Sequence, residues 1–182
     1  KAAAIIVEPN AVYDLVGLRR ACTANGTVLI FDEVLTGFRV DLGGYQYLSG
    51  VTPDLATFSK AMGNGYPASA IVGRREAMET FESVGYSGTF FGETIGLAAA
   101  KATIVKMERE PVIERLIVVG GRLRYGFEAE AEKRDISARA VGDPTFWVPK
   151  FAQDDADMDP IVGRASLPWR TLYRQEMIRR GI

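Results

Sequence analysis

Two apolar runs of strand length separated by one helix length open the sequence, and that spacing constrains the fold more than any other feature. Ala2–Val7 is apolar and stops at Glu8-Pro9, while Thr27–Phe31 is β-branched and apolar and stops at Asp32-Glu33. Between them, from about Tyr13 to Asn25, Leu15, Leu18, Ala21 and Cys22 recur at helical spacing, and Gly26 offers a helix stop. Parallel strands need a crossover of a dozen or more residues, commonly a helix, and the crossover is right-handed. The pattern therefore predicts a βαβ unit, with Ala2–Val7 buried on both faces as strands of parallel sheets are. In such sheets ligands gather beyond the carboxyl ends of the strands, which is where Glu8 and Asp32 stand.

The remaining chain extends this α/β reading. Leu35–Pro53, rich in Gly and Tyr, reads as a long functional loop. Leu55–Ser59 and Ser69–Val72 read as strands, Arg74–Phe81 as the opening of a helix, and Tyr86–Phe91 as a turn between aromatic flanks. Thr94–Arg109 is an Ala-rich helix, and Pro111 suits the start of the next one. In that helix Val112, Leu116, Val119, Leu123 and Phe127 mark one face. Beyond Arg134 the texture shifts to two alternating strands, Ile136–Val141 and Thr145–Phe151, around a Gly-Asp-Pro turn, with a helix over Leu167–Arg180. The shift predicts a division into residues 1–121 and a smaller α+β domain over residues 122–182.

Composition removes several function classes. The 182 residues carry 22 Lys+Arg against 23 Asp+Glu, a net charge of −1, which leaves no overall positive field for nucleic acid or an acidic membrane surface. The absence of histidine removes the Ser–His and Cys–His catalytic pairs and zinc sites of the usual kind, and a single cysteine closes no internal disulfide. The longest uncharged run, Ala61–Gly73, is interrupted by Gly63, Gly65 and Pro67 and falls short of the roughly 20 apolar residues of a membrane span. Nothing at the start reads as a signal peptide, so the expected setting is a reducing compartment, the cytoplasm. Asp155, Asp157 and Asp159 lack the Gly and Glu of a calcium loop, with Pro160 and Ser166 in those places, and read as a solvated acidic loop. Arg19-Arg20, Arg164 and Arg179-Arg180 read as exposed charge. No metal site is expected.

Two residues carry the chemistry. Asp32 ends an apolar strand, a placement shared by magnesium-binding acids of NTPases and by carboxylates that neutralise a pyridinium nitrogen. A magnesium-dependent NTPase using Asp32-Glu33 would also want a Gly-x-x-x-x-Gly-Lys-Ser/Thr phosphate loop, which the chain lacks. Lys60 follows the apolar run Leu-Ala-Thr-Phe-Ser and precedes a Gly-rich loop, an unusual place for a solvating lysine. Burial lowers an amine's affinity for its proton and makes it nucleophilic, the property of a Schiff-base lysine. A non-enzymatic folding or interaction module remains a third reading.

Read in order, residues 29–39 (Leu-Ile-Phe-Asp-Glu-Val-Leu-Thr-Gly-Phe-Arg), 50–60 (Gly-Val-Thr-Pro-Asp-Leu-Ala-Thr-Phe-Ser-Lys) and 63–67 (Gly-Asn-Gly-Tyr-Pro) resemble the class III aminotransferases. Within them the closest likeness is to glutamate-1-semialdehyde 2,1-aminomutase and its relatives. The resemblance runs from Ile-Ile-Val-Glu-Pro through Ser87-Gly88-Thr89 to the Gln-Glu-Met-Ile-Arg-Arg-Gly at 175–181. It implies part of a fold-type I large domain, a mostly parallel sheet with helices on both faces, plus the beginning of the small domain. It also implies pyridoxal 5′-phosphate held as an aldimine by Lys60, the catalytic residue, which then carries a 1,3-proton shift. Asp32 would pair with the pyridinium nitrogen and Val34 would pack on the ring. Gly88 and Thr89 would reach the phosphate in the neighbouring subunit of a homodimer with shared active sites. Substrates would be a small-molecule amino donor and a carbonyl acceptor. The loop after Glu8-Pro9 departs from the aminomutase pattern, and the octapeptide Ser87–Thr94 resembles relatives handling amino sugars. An aminotransferase is therefore preferred, with the aminomutase as alternative. The family's phosphate loop and ring-stacking aromatic would lie before residue 1, so the chain reads as a portion of a longer protein.

Overall fold

The computed structural model describes residues 2–151 and 167–182, which fall into two compact units, residues 1–113 and 114–182. That boundary precedes the one expected from the sequence by less than three turns of helix. The acidic run at Asp155, Asp157 and Asp159, and Arg164, lie outside the described residues.

The first unit is built on a four-stranded sheet in the order β1-β2-β3-β4. Strands β1 (Ala4–Val7), β2 (Val28–Asp32) and β3 (Leu55–Phe58) run parallel, and β4 (Ala70–Gly73) pairs antiparallel with β3. Helix α1 (Leu15–Asn25) makes the β1–β2 crossover. Asp14 caps its start by accepting from the Gly17 N–H, and Gly26 ends it at φ +60°, a conformation open to glycine at little steric cost. Leu15 and Cys22 from α1 pack with Leu29 and Phe31 of β2 and with Ala56 and Phe58 of β3, the core of the unit. Strand β1 departs from expectation. Ile5 and Val7 pack on that core, but Ile6 is 59% exposed. Among the described strands β1 has one neighbour, β2, and its burial alternates as in a one-sided strand.

The expected long loop holds a short helix, α2 (Gly44–Ser49), before β3. Short helix α3 (Arg75–Met78) follows β4 and runs into a 3-10 turn at Glu79–Glu82. Helix α4 spans Thr94–Arg109, the range the sequence marks, because its caps are local: Glu93 accepts from the N–H groups of Ile95 (2.8 Å) and Gly96 (2.5 Å), and Pro111 follows its end.

The second unit is a hairpin of β5 (Ala138–Val141) and β6 (Val148–Phe151) with helices α5 (Val112–Glu132) and α6 (Leu167–Arg179). Its aromatic cluster joins Phe127 to Trp147, Phe151 and Tyr173 at centroid distances of 5.5–6.0 Å. Of the stripe marked on α5, Leu116, Val119 and Leu123 are exposed, while Phe127 packs in the aromatic cluster. The buried positions of α5 are Gly120 and Ala131, and Arg124 donates to the carbonyls of Gly142 and Ala140. At Gly120 a Cβ would stand 1.9 Å from the Pro144 carbonyl oxygen, so only glycine lets the turn approach.

Candidate active site

Asp32 is the last residue of β2, and the parallel register sets it directly opposite Thr57 of β3. Side chains of directly paired residues project to one face, and Thr57 Oγ1 donates to Asp32 Oδ1 at 3.2 Å. The Val34 N–H donates to the same oxygen at 3.1 Å. Both donors hold one oxygen, and among the described residues none bonds Oδ2. Val34 itself is half-buried two residues beyond the strand end.

Strand β3 ends at Phe58, and the chain turns through Ser59 into a 3-10 turn at Lys60–Met62. Ser59 Oγ holds the turn by donating to the Ala68 carbonyl at 2.9 Å, while the Lys60 carbonyl accepts from the Gly63 and Asn64 N–H groups. Lys60 sits at φ +43°, in the left-handed region that side chains avoid at a cost of order 1 kcal/mol. The buried lysine expected from the apolar run is not found. Lys60 is exposed, because the turn keeps Phe58 and Met62 in the core and directs residue 60 outward. Among the described residues its amine pairs with no carboxylate.

Glu33 is fully buried and spoken for. Its carboxylate accepts from Thr36 Oγ1 at 2.5 Å, the Tyr45 N–H at 2.8 Å and the Gln46 N–H at 2.9 Å. The last two belong to the first turn of α2, whose orphan donors need such a partner. Gly44, at φ +73°, lies against this carboxylate, where a Cβ would meet it at 2.7 Å. These bonds commit both oxygens of Glu33 to the fold, so of the Asp32-Glu33 pair only Asp32 keeps an unbonded oxygen among the described residues. The sequence reading missed this role, although Gly43-Gly44 ahead of Tyr-Gln-Tyr signalled a close approach there. It also missed Asp54, which accepts from the Leu29 N–H at 2.7 Å and pairs with Arg19 at 3.0 Å and Arg74 at 2.5 Å. Burial pushes the Asp54 carboxyl up, but the Leu29 N–H and the two guanidiniums outweigh it and hold it below the usual range. Glu8, at the end of β1, is exposed.

Gly88 and Thr89 follow the 3-10 turn at Glu79–Glu82 and precede α4. They occupy an exposed loop bordering a cavity of about 720 Å³, which Ser59, Phe81, Tyr86 and Phe91 also line and which neither Asp32 nor Lys60 reaches. The structure thus brings Asp32, Val34 and Lys60 to the carboxyl ends of two adjacent strands, and Gly88 and Thr89 border a cavity that Ser59, the neighbour of Lys60, also lines. The donor set at the strand ends, a carboxylate with one oxygen unbonded and a primary amine unpaired among the described residues, fits a group offering a protonated ring nitrogen and a carbonyl carbon.

The sequence pattern of the family described as Aminotransferase class-III matches residues 2–164. The chain belongs to this family. This class-III chain is 38% identical to a glutamate-1-semialdehyde 2,1-aminomutase from Roseiflexus castenholzii over 92% of its length, which is 39% of the relative. It is 37% identical to a 3-aminobutyryl-CoA aminotransferase from Cloacimonas acidaminovorans over 85% of its length and 36% of that protein. Among solved structures it resembles an omega-transaminase from Sphaerobacter thermophilus with a TM-score of 0.72 and 30% identity, over 83% of the chain and 37% of that structure. It resembles the PLP internal aldimine form of the FumI protein from Sphingopyxis sp. MTA144 with a TM-score of 0.77 and 29% identity, over 86% of the chain and 40% of that structure. The α/β sheet and its helices are accordingly those of a fold-type I large domain in part. The chain spans about two-fifths of the length of the relatives it matches.

Proposed function

We propose that the protein of which this chain is a part transfers amino groups between a small-molecule donor and a carbonyl acceptor with pyridoxal 5′-phosphate. When bound, that cofactor supplies an electron sink for the carbanion formed at the amino-bearing carbon. The observation that carries the reading is that neighbouring parallel strands end in Asp32, with one oxygen unbonded among the described residues, and in the turn that carries the exposed Lys60. Asp32 would hold the ring nitrogen and keep its proton on, and Val34 would pack against the ring. Lys60 Nζ would hold the carbonyl end of the cofactor and would move the proton at the substrate carbon. The backbone turn supports this role, since a non-glycine residue kept at positive φ is strain of the kind found at functional sites.

Gly88 and Thr89, exposed on their loop, suit a role in a second subunit: a homodimer in which the loop of one copy reaches the phosphate site of the other. No helix of the described residues is long and apolar enough to cross a membrane. The one cysteine, Cys22, is buried and free, which suits the cytoplasm. Intramolecular transfer is the second reading, favoured by the name of the Roseiflexus relative. An aminomutase turns over a single substrate, whereas an aminotransferase needs both donor and acceptor.

Borohydride reduction of the cofactor-loaded full-length protein tests the assignment. A pyridoxyl group on the Lys60 peptide, absent from Lys60→Ala, is expected by mass spectrometry. A label on another lysine, or none at all, overturns it.

A further inference from the structure

We propose that Thr57 is a positioning residue that fixes which oxygen Asp32 presents to the cofactor. The inference rests on the reading of Asp32 as the partner of the ring nitrogen. Thr57 holds the segment ahead of it twice: its carbonyl accepts from the Glu33 N–H at 2.9 Å, and its hydroxyl donates to Asp32 Oδ1 at 3.2 Å. The first bond fixes the backbone at the end of β2. The second, with the Val34 N–H at 3.1 Å, occupies Oδ1 and sets the rotation of the carboxylate, leaving Oδ2 for a donor beyond the strand end. Thr57 can do this because β3 is an interior strand, paired with β2 at Asp32↔Thr57 and with β4 at Thr57↔Ile71. Three residues later the same chain presents Lys60, so one strand orients the acid and carries the amine. Every residue at position 57 offers the carbonyl, but the second bond needs a side-chain hydroxyl, which valine and alanine lack.

A double-mutant cycle tests the inference, with pyridoxamine 5′-phosphate as probe, because its amine cannot bond covalently to Lys60. The probe is titrated into the full-length apoprotein and followed by absorbance. Thr57→Val is expected to weaken binding about tenfold, the loss of one hydrogen bond to a charged group, and Thr57→Ser to bind within about twofold of the parent. In an Asp32→Ala background Thr57→Val is expected to cost nothing further, because its route to the cofactor has been removed. Parental affinity in Thr57→Val, or the same loss in both backgrounds, overturns the positioning role. Parental affinity in Asp32→Ala would instead sink the reading of Asp32, and with it this inference. Thermal unfolding of the apoprotein variants separates either result from a general loss of fold.

Discussion

Glu33 is fully buried with three donors aimed at its two carboxylate oxygens, so its replacement has a predictable size. In Glu33→Gln the side chain keeps its shape but one oxygen becomes an NH₂ group. Turned one way, that group faces the Gln46 N–H; turned the other, it faces the Tyr45 N–H and the Thr36 hydroxyl. Either way at least one backbone donor of α2 loses its acceptor and meets another donor. A lost hydrogen bond to a charged group and an unsatisfied buried donor together cost about 2–4 kcal/mol. With about 2 kcal/mol per molar urea for a small domain, the midpoint should fall by about 1–2 M. The Tyr45 and Gln46 amides should exchange with solvent at least about tenfold faster, while the β2–β3 ladder keeps its protection. Urea unfolding by circular dichroism and amide exchange by NMR read the two effects. An unchanged midpoint with unchanged exchange at both amides would refute the account of Glu33 as the anchor of α2.

Two further predictions concern stability. Asp54 has a folded pKa below the ordinary 3.8, so its contribution is complete above that value and is lost as pH falls through the folded value. Asp54→Asn should lower the urea midpoint at neutral pH and flatten its fall below pH 3.8; parallel curves for the two proteins would remove Asp54 from acid unfolding. In α5, Gly120→Ala should destabilise by about 1–3 kcal/mol through the clash with Pro144. Gly126→Ala, with open space around it, should stabilise the helix by about 0.5–1 kcal/mol, and thermal unfolding midpoints moving the same way would contradict the packing described for that face.

Much of the site was legible because its parts are local. A strand ending in Asp32, and a lysine after a second strand and before a Gly-rich turn, are visible in residues 28–66 without knowing what pairs with what. The exposure of Lys60 was not legible, since apolar neighbours suggest burial and only the turn at Ser59–Met62 shows the lysine turned out. Gly88 and Thr89 read as site residues through likeness alone, since an exposed Ser-Gly-Thr loop by itself signals only a turn.

The amino-acid order by itself determined the βαβ opening and the ends of α1 and α4, because hydrophobic period, side-chain caps and glycine stops act within a few residues. Tertiary structure alone decided that Thr57 stands opposite Asp32, that Asp54 gathers Arg19 and Arg74, that Glu33 holds α2, and that α5 packs through Gly120 rather than Leu116 and Leu123. Each of these joins residues distant in sequence, or depends on how closely two backbones approach. Such pairings are set by strand register and the space left between packed elements, which no short window of sequence encodes.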